Sequence, residues 1–522
     1  MERLVVKKKF HETLQEYNFP EFFWTVLIVA FFLLPFLIML LHFSEINWAY
    51  LDKTFLKTVV NTTLQSVTSA FFSVVLGWIG AIGISGISSN KKRSLFELIF
   101  IIPTVLPAFY IILSVMRVNS LLELSATGLP AIVVAHAFSY AGLIAVFLGR
   151  VLRLRLSSYS ALCAIDGMKL SRFLITSWPL YKKEVGHFAL TVFFACLASF
   201  SIPLIFGGGT RYSLEVLMYE HAVVNGQWPA LWSVALIQFA VLYVFTSMVQ
   251  KRMGNDFDFR AATTEETLHI PGTRIFAAIF LLFSLGIIFL GLQKTFSAHL
   301  DFLFHFRLIA TDIFRAVIGS SVVLIFNFVL TELVLMFMVL YYPAKNLRQF
   351  FVRFSGVSVA LTGAAALVLT DSSQSTEKYT LVVVSLGLFI FTFPAIYRLA
   401  FENIFNQMKG AVEQARVLGA SPWQIYVHIF TPVFRAQGAV RWTLFSLWIC
   451  GDFAFTSMVA GRPITLGALA YQYLGGYYVE ASEIIMLMIL FLSLFFGFLY
   501  FITFGLDRWL QKRWSARYVH TE

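Results

Sequence analysis

Glu413, Ala415, Gly419, Ile429 and Pro432 stand in the spacing E-x-A-x3-G-x9-I-x-x-P, between two long apolar runs. These residue types suit mechanical work better than covalent chemistry. Gly419 accepts a positive φ without Cβ strain, so it can turn the chain sharply between two short helices. Ser421 is placed to cap the second helix, with Pro422 at its first position. Trp423, Ile425, Tyr426 and Ile429 are expected to pack that helix on the ends of neighbouring spans, and Pro432 to end it. Ala415 is small, on the face where a partner would approach closely, and Glu413 is placed for a charged contact within the loop or with that partner. A worn copy lies upstream: Ala161-Leu162-Cys163, then Asp166-Gly167, then Trp178-Pro179. Ala161 stands for the glutamate, Cys163 for the second alanine, and Pro179 follows its glycine one residue sooner than Pro432 does. Any amphipathic loop can carry glycine and proline; a second copy at a matched position sets this pair apart.

Covalent chemistry has little to work with. No G-x4-G-K-[ST] phosphate loop occurs, and Gly207-Gly208-Gly209 lacks a lysine and reads as a tight turn at the outer end of a span. No His/Cys/Asp/Glu set has metal-ligand spacing, and no nucleophile–base pair stands out, so neither a metal nor a cofactor is expected. Asp452 and Glu332 sit in apolar runs, where a charge costs about 2.5–3.5 kcal/mol on insertion scales. Asp452 reads either as lining for a cationic solute or as an interhelical hydrogen-bond partner. With Ser199, Phe200 and Phe453 it makes up the possible substrate pathway. Glu332 and His136 read as structural, and Cys163, Cys196 and Cys450 as reduced thiols without a disulfide framework.

The elements that must position these residues are membrane spans. The chain is 59% hydrophobic and 13% charged, against roughly 25% charged in soluble domains. Apolar runs near the roughly 20 residues of a spanning helix recur at Phe22–His42, Val59–Ile84, Leu98–Val118, Ala131–Leu152, Phe188–Phe206, Leu231–Val249, Ile275–Leu292, Ile313–Leu340, Phe351–Leu369, Tyr379–Leu399, Val440–Ala460 and Ile484–Phe504. The first is too long for a signal-peptide core and lacks a small-residue cleavage site, so it is expected to be retained. With both termini cytoplasmic, every inside segment is basic, including Lys7-Lys8-Lys9, Lys91-Lys92-Arg93 and both motif copies. Topology and anionic lipid account for the net charge of +11; nucleic acid is not needed. Aromatic residues make up 17% of the chain, mostly as lipid-facing or packing surface.

The chain also repeats. Beyond the glycines Gly167 and Gly419, Cys196–Phe200 matches Cys450–Phe453, and Ser213–Tyr219 matches Thr465–Tyr471. Each half carries six spans with its motif between the fourth and fifth, so the repeats are parallel. The reading is an all-α polytopic membrane protein of about twelve spans. An N-terminal half covers residues 1–250 with its loop at 157–186, and a polar linker covers 251–274. The C-terminal half covers 275–522 with its loop at 403–436.

The paired motif resembles the EAA loop of ABC-importer permeases, and the resemblance covers nearly the whole chain. The stretch Ser199–Thr210, followed by Leu214-Glu215-Val216 and Tyr219, looks like bacterial thiamine permeases of the fused type, with ferric-iron permeases as close relatives. The resemblance implies a type I importer permease in the bacterial plasma membrane that hydrolyses nothing itself. It implies two copies of a separate ATPase subunit docking on the loops, and a substrate-binding protein delivering a small solute from outside. An ion-coupled secondary transporter would call for broken spans and coupling carboxylates in both halves; Asp452 and Glu332 both lie in the second.

Overall fold

The computed structural model describes residues 19–519, apart from 126, 209–212, 254–266, 270, 298–300, 343, 354–357, 372–376, 398–400, 437 and 477–478. The basic N-terminal stretch, most of the polar linker and residues Gly209 and Thr210 lie outside the described residues. Among those described, every regular element is helical. Six helices are long and apolar enough to cross a membrane, and nine if each bent pair is one span. Trp228–Val241 and Val359–Leu369 add shorter apolar helices. The protein is therefore an all-α polytopic membrane protein, and each of the twelve expected runs includes described helix, with residues 354–357 of the ninth and 398–399 of the tenth outside the described residues.

Several runs expected to be continuous are broken. Glu21–Phe32 and Leu34–Leu41 meet at 67°, Asn90–Val105 and Ala108–Leu121 at 94°, and Arg441–Cys450 and Ala454–Ala460 at 45°. The fifth expected run is divided between the end of Leu170–Leu197 and the short helix Ser201–Phe206. The sharpest bend has a local cause. Pro107 disfavours the helical region for Leu106, which adopts ψ 145° and ends the first segment.

Two helical groups pack side by side. In the first, Lys53–Ser85 lies along Leu129–Ile165. A Cβ on Gly77 would meet Ile144 at 2.5 Å, and one on Gly80 would meet Ala145 at 2.6 Å. Small residues let these backbones approach closely, which is how membrane helices gain packing without a hydrophobic driving force. Asn90–Val105 is seated as tightly, since a Cβ on Gly142 would fall 1.8 Å from the Phe100 carbonyl oxygen. The second group is built from Asp301–Leu340, Glu377–Ile396, Gly438–Cys450 and Val479–Val519.

The leading helices cross over. Phe32 packs its ring against Phe351, Phe389 and Phe393 of the second group, at 5.0, 5.5 and 5.8 Å between centroids. The Thr273–Ser297 helix, after the linker, packs on the first group, with Phe280 at 4.5 Å from Phe100. Each group is thus completed by a helix from the opposite side of the linker.

Candidate functional site

Both motif copies close their first helix in the same way. Leu129–Ile165 ends at Asp166, and Gly167 follows at φ +66°. Its N–H donates to Ala164 O at 3.1 Å and Met168 N–H to Cys163 O at 2.9 Å. Lys409–Val417 ends at Leu418, with Gly419 at φ +82°. There Gly419 N–H donates to Arg416 O at 3.0 Å and Ala420 N–H to Ala415 O at 2.9 Å. The paired bonds form a Schellman closure in each copy, and a residue at positive φ is what it needs. Ser421 caps the next helix as expected: its hydroxyl accepts from Gln424 N–H at 3.3 Å, and the Gln424 side chain accepts from Ser421 N–H at 2.8 Å. The worn copy has no such box; Lys169 precedes its second helix without a side-chain cap.

The described end of the linker docks beside the first turn, where Leu268 N–H donates to Ser85 O at 2.9 Å and His269 N–H to the Ser160 hydroxyl at 3.2 Å. Beyond Ala310–Leu340, the Tyr342 carbonyl accepts from Arg416 beside the second turn.

Three expectations for the second loop need correcting. Pro432 does not end the helix. A π-helical turn, Tyr426–Phe430, precedes it, and the chain runs on helically through Thr431–Ala436. The wider turn leaves room for the pyrrolidine ring, and the Thr431 hydroxyl donates to Tyr426 O at 2.8 Å. Pro179 likewise lies inside its helix. Ala415 faces inward, half-buried against the core, rather than outward toward a partner. Trp423 is 57% exposed, while Ile425 and Phe430 are buried and Tyr426 and Ile429 pack on the core. Glu413 makes its charged contact within the helix, 3.9 Å from Lys409, and is exposed. The loops also show aliphatic residues to solvent: Leu162 and Ile165 in the first, Val417 and Leu418 in the second, the last two 88% and 85% exposed.

The mounts of the two loops differ, and the sequence reading did not find them. Glu97 pairs with Arg150 at 2.9 Å and Arg153 at 3.2 Å, and Arg155 with Glu184 at 2.6 Å, fixing the first loop's long helix to its neighbours. The second loop rests on rings. Arg416 lies 5.7 Å over Tyr342, Arg348 5.3 Å over Phe405, and Arg441 5.1 Å over Phe401. The signal was the Arg and aromatic content around residues 341–348 and 397–405, which sequence alone does not pair.

The expected pathway residues separate. The Ser199 hydroxyl is 3.0 Å from His136 Nε2, whose Nδ1 is 3.1 Å from the Ser69 hydroxyl. His136 is thus a packed, hydrogen-bonded histidine, and Ser199 serves it. Asp452 accepts from Thr456 N–H and hydroxyl at 3.0 Å each and from Phe455 N–H at 3.4 Å. It satisfies the first free N–H groups of Ala454–Ala460 at the break, so its carboxylate is engaged in the fold. Asp452→Asn keeps an acceptor and is expected to transport close to wild type. Asp452→Ala should lose about 0.5–2 kcal/mol of stability. Thermal melting and uptake of the two variants check this; an Asn variant that folds but does not transport would show that the charge itself matters. Phe200 and Phe453 stay near each other's group and meet Tyr219 and Tyr471.

A buried acid was not recognised from sequence. Glu215 accepts from Gln238 Nε2 at 2.6 Å, Ala360 N–H at 2.9 Å and the Ser358 hydroxyl at 3.0 Å, joining the first helical group to the start of Val359–Asp371. Arg117 and Glu483 make a second link between the groups, at 2.7 Å.

Comparison with known proteins bears on this geometry. The chain is 23% identical over 373 residues, 67% of its length, to the thiamine transport system permease protein ThiP of Haemophilus influenzae, covering 68% of that protein. It resembles thiamine transport permeases. Two Brucella abortus proteins of the same description are 28% identical over 191 residues, 32% of this chain and 34% of theirs. No protein-family profile matches the chain, and no solved structure matches it.

Proposed function

We propose that the chain is the membrane permease subunit of an ABC importer, carrying thiamine or a similar organic cation into the cytoplasm. The similarity to a thiamine permease across two thirds of both proteins carries the reading. The paired loops add a mechanical rationale. Each ends in a rigid glycine turn with exposed aliphatic residues, the surface a partner can grip: Leu162 and Ile165 on one, Val417 and Leu418 on the other. In this reading an ATPase subunit docks on each loop: Ala161, Asp166, Gly167 and Pro179 shape the first, Glu413, Ala415, Gly419, Ile429 and Pro432 shape the second, and the exposed aliphatic residues make the contact. ATP-driven closure of the two ATPases moves the loops together and switches access between the two sides. The halves are residues 1–250 and 275–522, joined by the linker 251–274, with both termini cytoplasmic. An extracytoplasmic binding protein delivers the solute to a pathway between the halves past Phe200 and Phe453. ATP hydrolysis belongs to the partner.

Uptake of labelled thiamine and of ferric iron, in cells with and without the gene, tests the substrate. Gene-dependent thiamine uptake is expected; iron uptake without thiamine uptake would replace the substrate and leave the permease. The purified chain is expected to hydrolyse no ATP until its partner is added, and activity of the chain alone would sink the assignment.

A further inference from the structure

Phe200 and Phe453 hold matched places in the repeat, each at the start of the short helix that follows a break. Each ring meets one tyrosine. Phe200 lies edge-on to Tyr219 at 5.4 Å between centroids, and Phe453 stacks on Tyr471 at 4.8 Å. The tyrosines are also matched in the repeat, and all four rings belong to or pack against one hydrophobic core. Phe109, just beyond the 94° bend, adds its edge to Phe453 at 5.7 Å. The phenylalanines are buried and the tyrosines half-buried.

The short helices carrying the tyrosines are seated alike. Leu214 N–H donates to the Thr62 hydroxyl at 3.1 Å, and Leu466 N–H to the Ser320 hydroxyl at 2.9 Å. The two tyrosine-bearing helices are therefore held on equivalent mounts, one per helical group. Asp452, next to Phe453 in the chain, is engaged at its helix start. A cation crossing beside Phe453 and Tyr471 would meet ring faces, with that carboxylate already engaged. Ring faces attract cations, and flat ones best; they hold them weakly enough for release, which a pathway requires.

We propose that Phe200, Tyr219, Phe453 and Tyr471 form an aromatic passage that contacts a planar organic cation during translocation and closes between cycles. The inference rests on the permease reading above. The test is uptake of labelled thiamine by cells expressing the full chain with its partner subunits, at equal membrane abundance of each variant. A competing neutral isostere, with carbon in place of the quaternary nitrogen, reports preference for charge. Phe453→Leu and Tyr471→Leu are each expected to lower uptake about tenfold and to weaken that preference. Phe453→Tyr and Tyr471→Phe should keep both properties within about twofold of wild type. Tyr219→Met, at a half-buried ring, gives the same comparison where a buried substitution fails to fold. The binding protein is the same in every arm, so a changed preference belongs to the chain. Variants that transport like wild type, or lose rate with preference unchanged, overturn the passage and leave the permease standing. A wild-type chain that moves iron but no thiamine overturns the passage together with its substrate.

Discussion

Gly419→Val is expected to cut uptake roughly tenfold or more while the protein reaches the membrane in normal amount. The glycine sits at φ +82°, and a Cβ there would meet nothing within 4 Å. The cost is therefore backbone strain alone, roughly 1–3 kcal/mol for a residue other than glycine in this region and worst for a β-branched one. That strain is concentrated where Gly419 N–H and Ala420 N–H close the helix on Arg416 and Ala415. Relieving it opens the turn and moves Val417 and Leu418, the exposed tip, without disturbing the buried packing below. The same argument now applies to Gly167, at φ +66° with equally open space. The departures of the worn copy from the motif point to a weaker effect of Gly167→Val. Since the two turns carry like strain, a difference between the variants would measure how much each loop's partner contact contributes to transport. Uptake and membrane abundance of both variants check this. Near-zero effects at both positions would remove the docking assignment.

Glu215→Ala should cost stability rather than coupling. Three donors converge on the buried carboxylate, from Gln238, Ser358 and Ala360. Membrane-interior hydrogen bonds average only about 0.6 kcal/mol each, which gives about 2 kcal/mol as a floor. Leaving the Gln238 amide and the Ala360 N–H buried without an acceptor raises the loss toward 5 kcal/mol or so, at about 1–3 kcal/mol for an unsatisfied group. The expected result is a lower melting temperature and loss of monodisperse protein after detergent extraction. Glu215→Gln retains an oxygen acceptor and should fall between the two. An alanine variant as stable as wild type would show that the link between the helical groups adds nothing to the fold.

Much of this molecule was legible as sequence because lipid imposes simple rules. A backbone in hydrocarbon must satisfy its own hydrogen bonds, so long apolar runs become helices, and each of the twelve expected runs includes described helix. The glycine turns were legible for a similarly local reason: Gly167 and Gly419 both hold the positive φ that closes a helix. Ser421 and Pro422 act within a few residues of themselves, and the cap they promise is present.

What sequence did not decide depends on groups far apart in the chain. Pro432 was expected to stop a helix, but the π turn before it absorbs the ring. Asp452 could have faced a solute or the fold; the break at Gly451 to Phe453 exposes helix N–H groups that engage it. Glu215 looked like part of a motif, whereas its partners Ser358 and Ala360 come from the other helical group. The mounts of the two loops, ion pairs under one and arginine-on-ring contacts under the other, are likewise long-range. Local spacing determines a helix, a cap or a turn because the interacting groups are neighbours in the chain. Which acid meets which donor, and which rings pack together, is set only when separate helices pack.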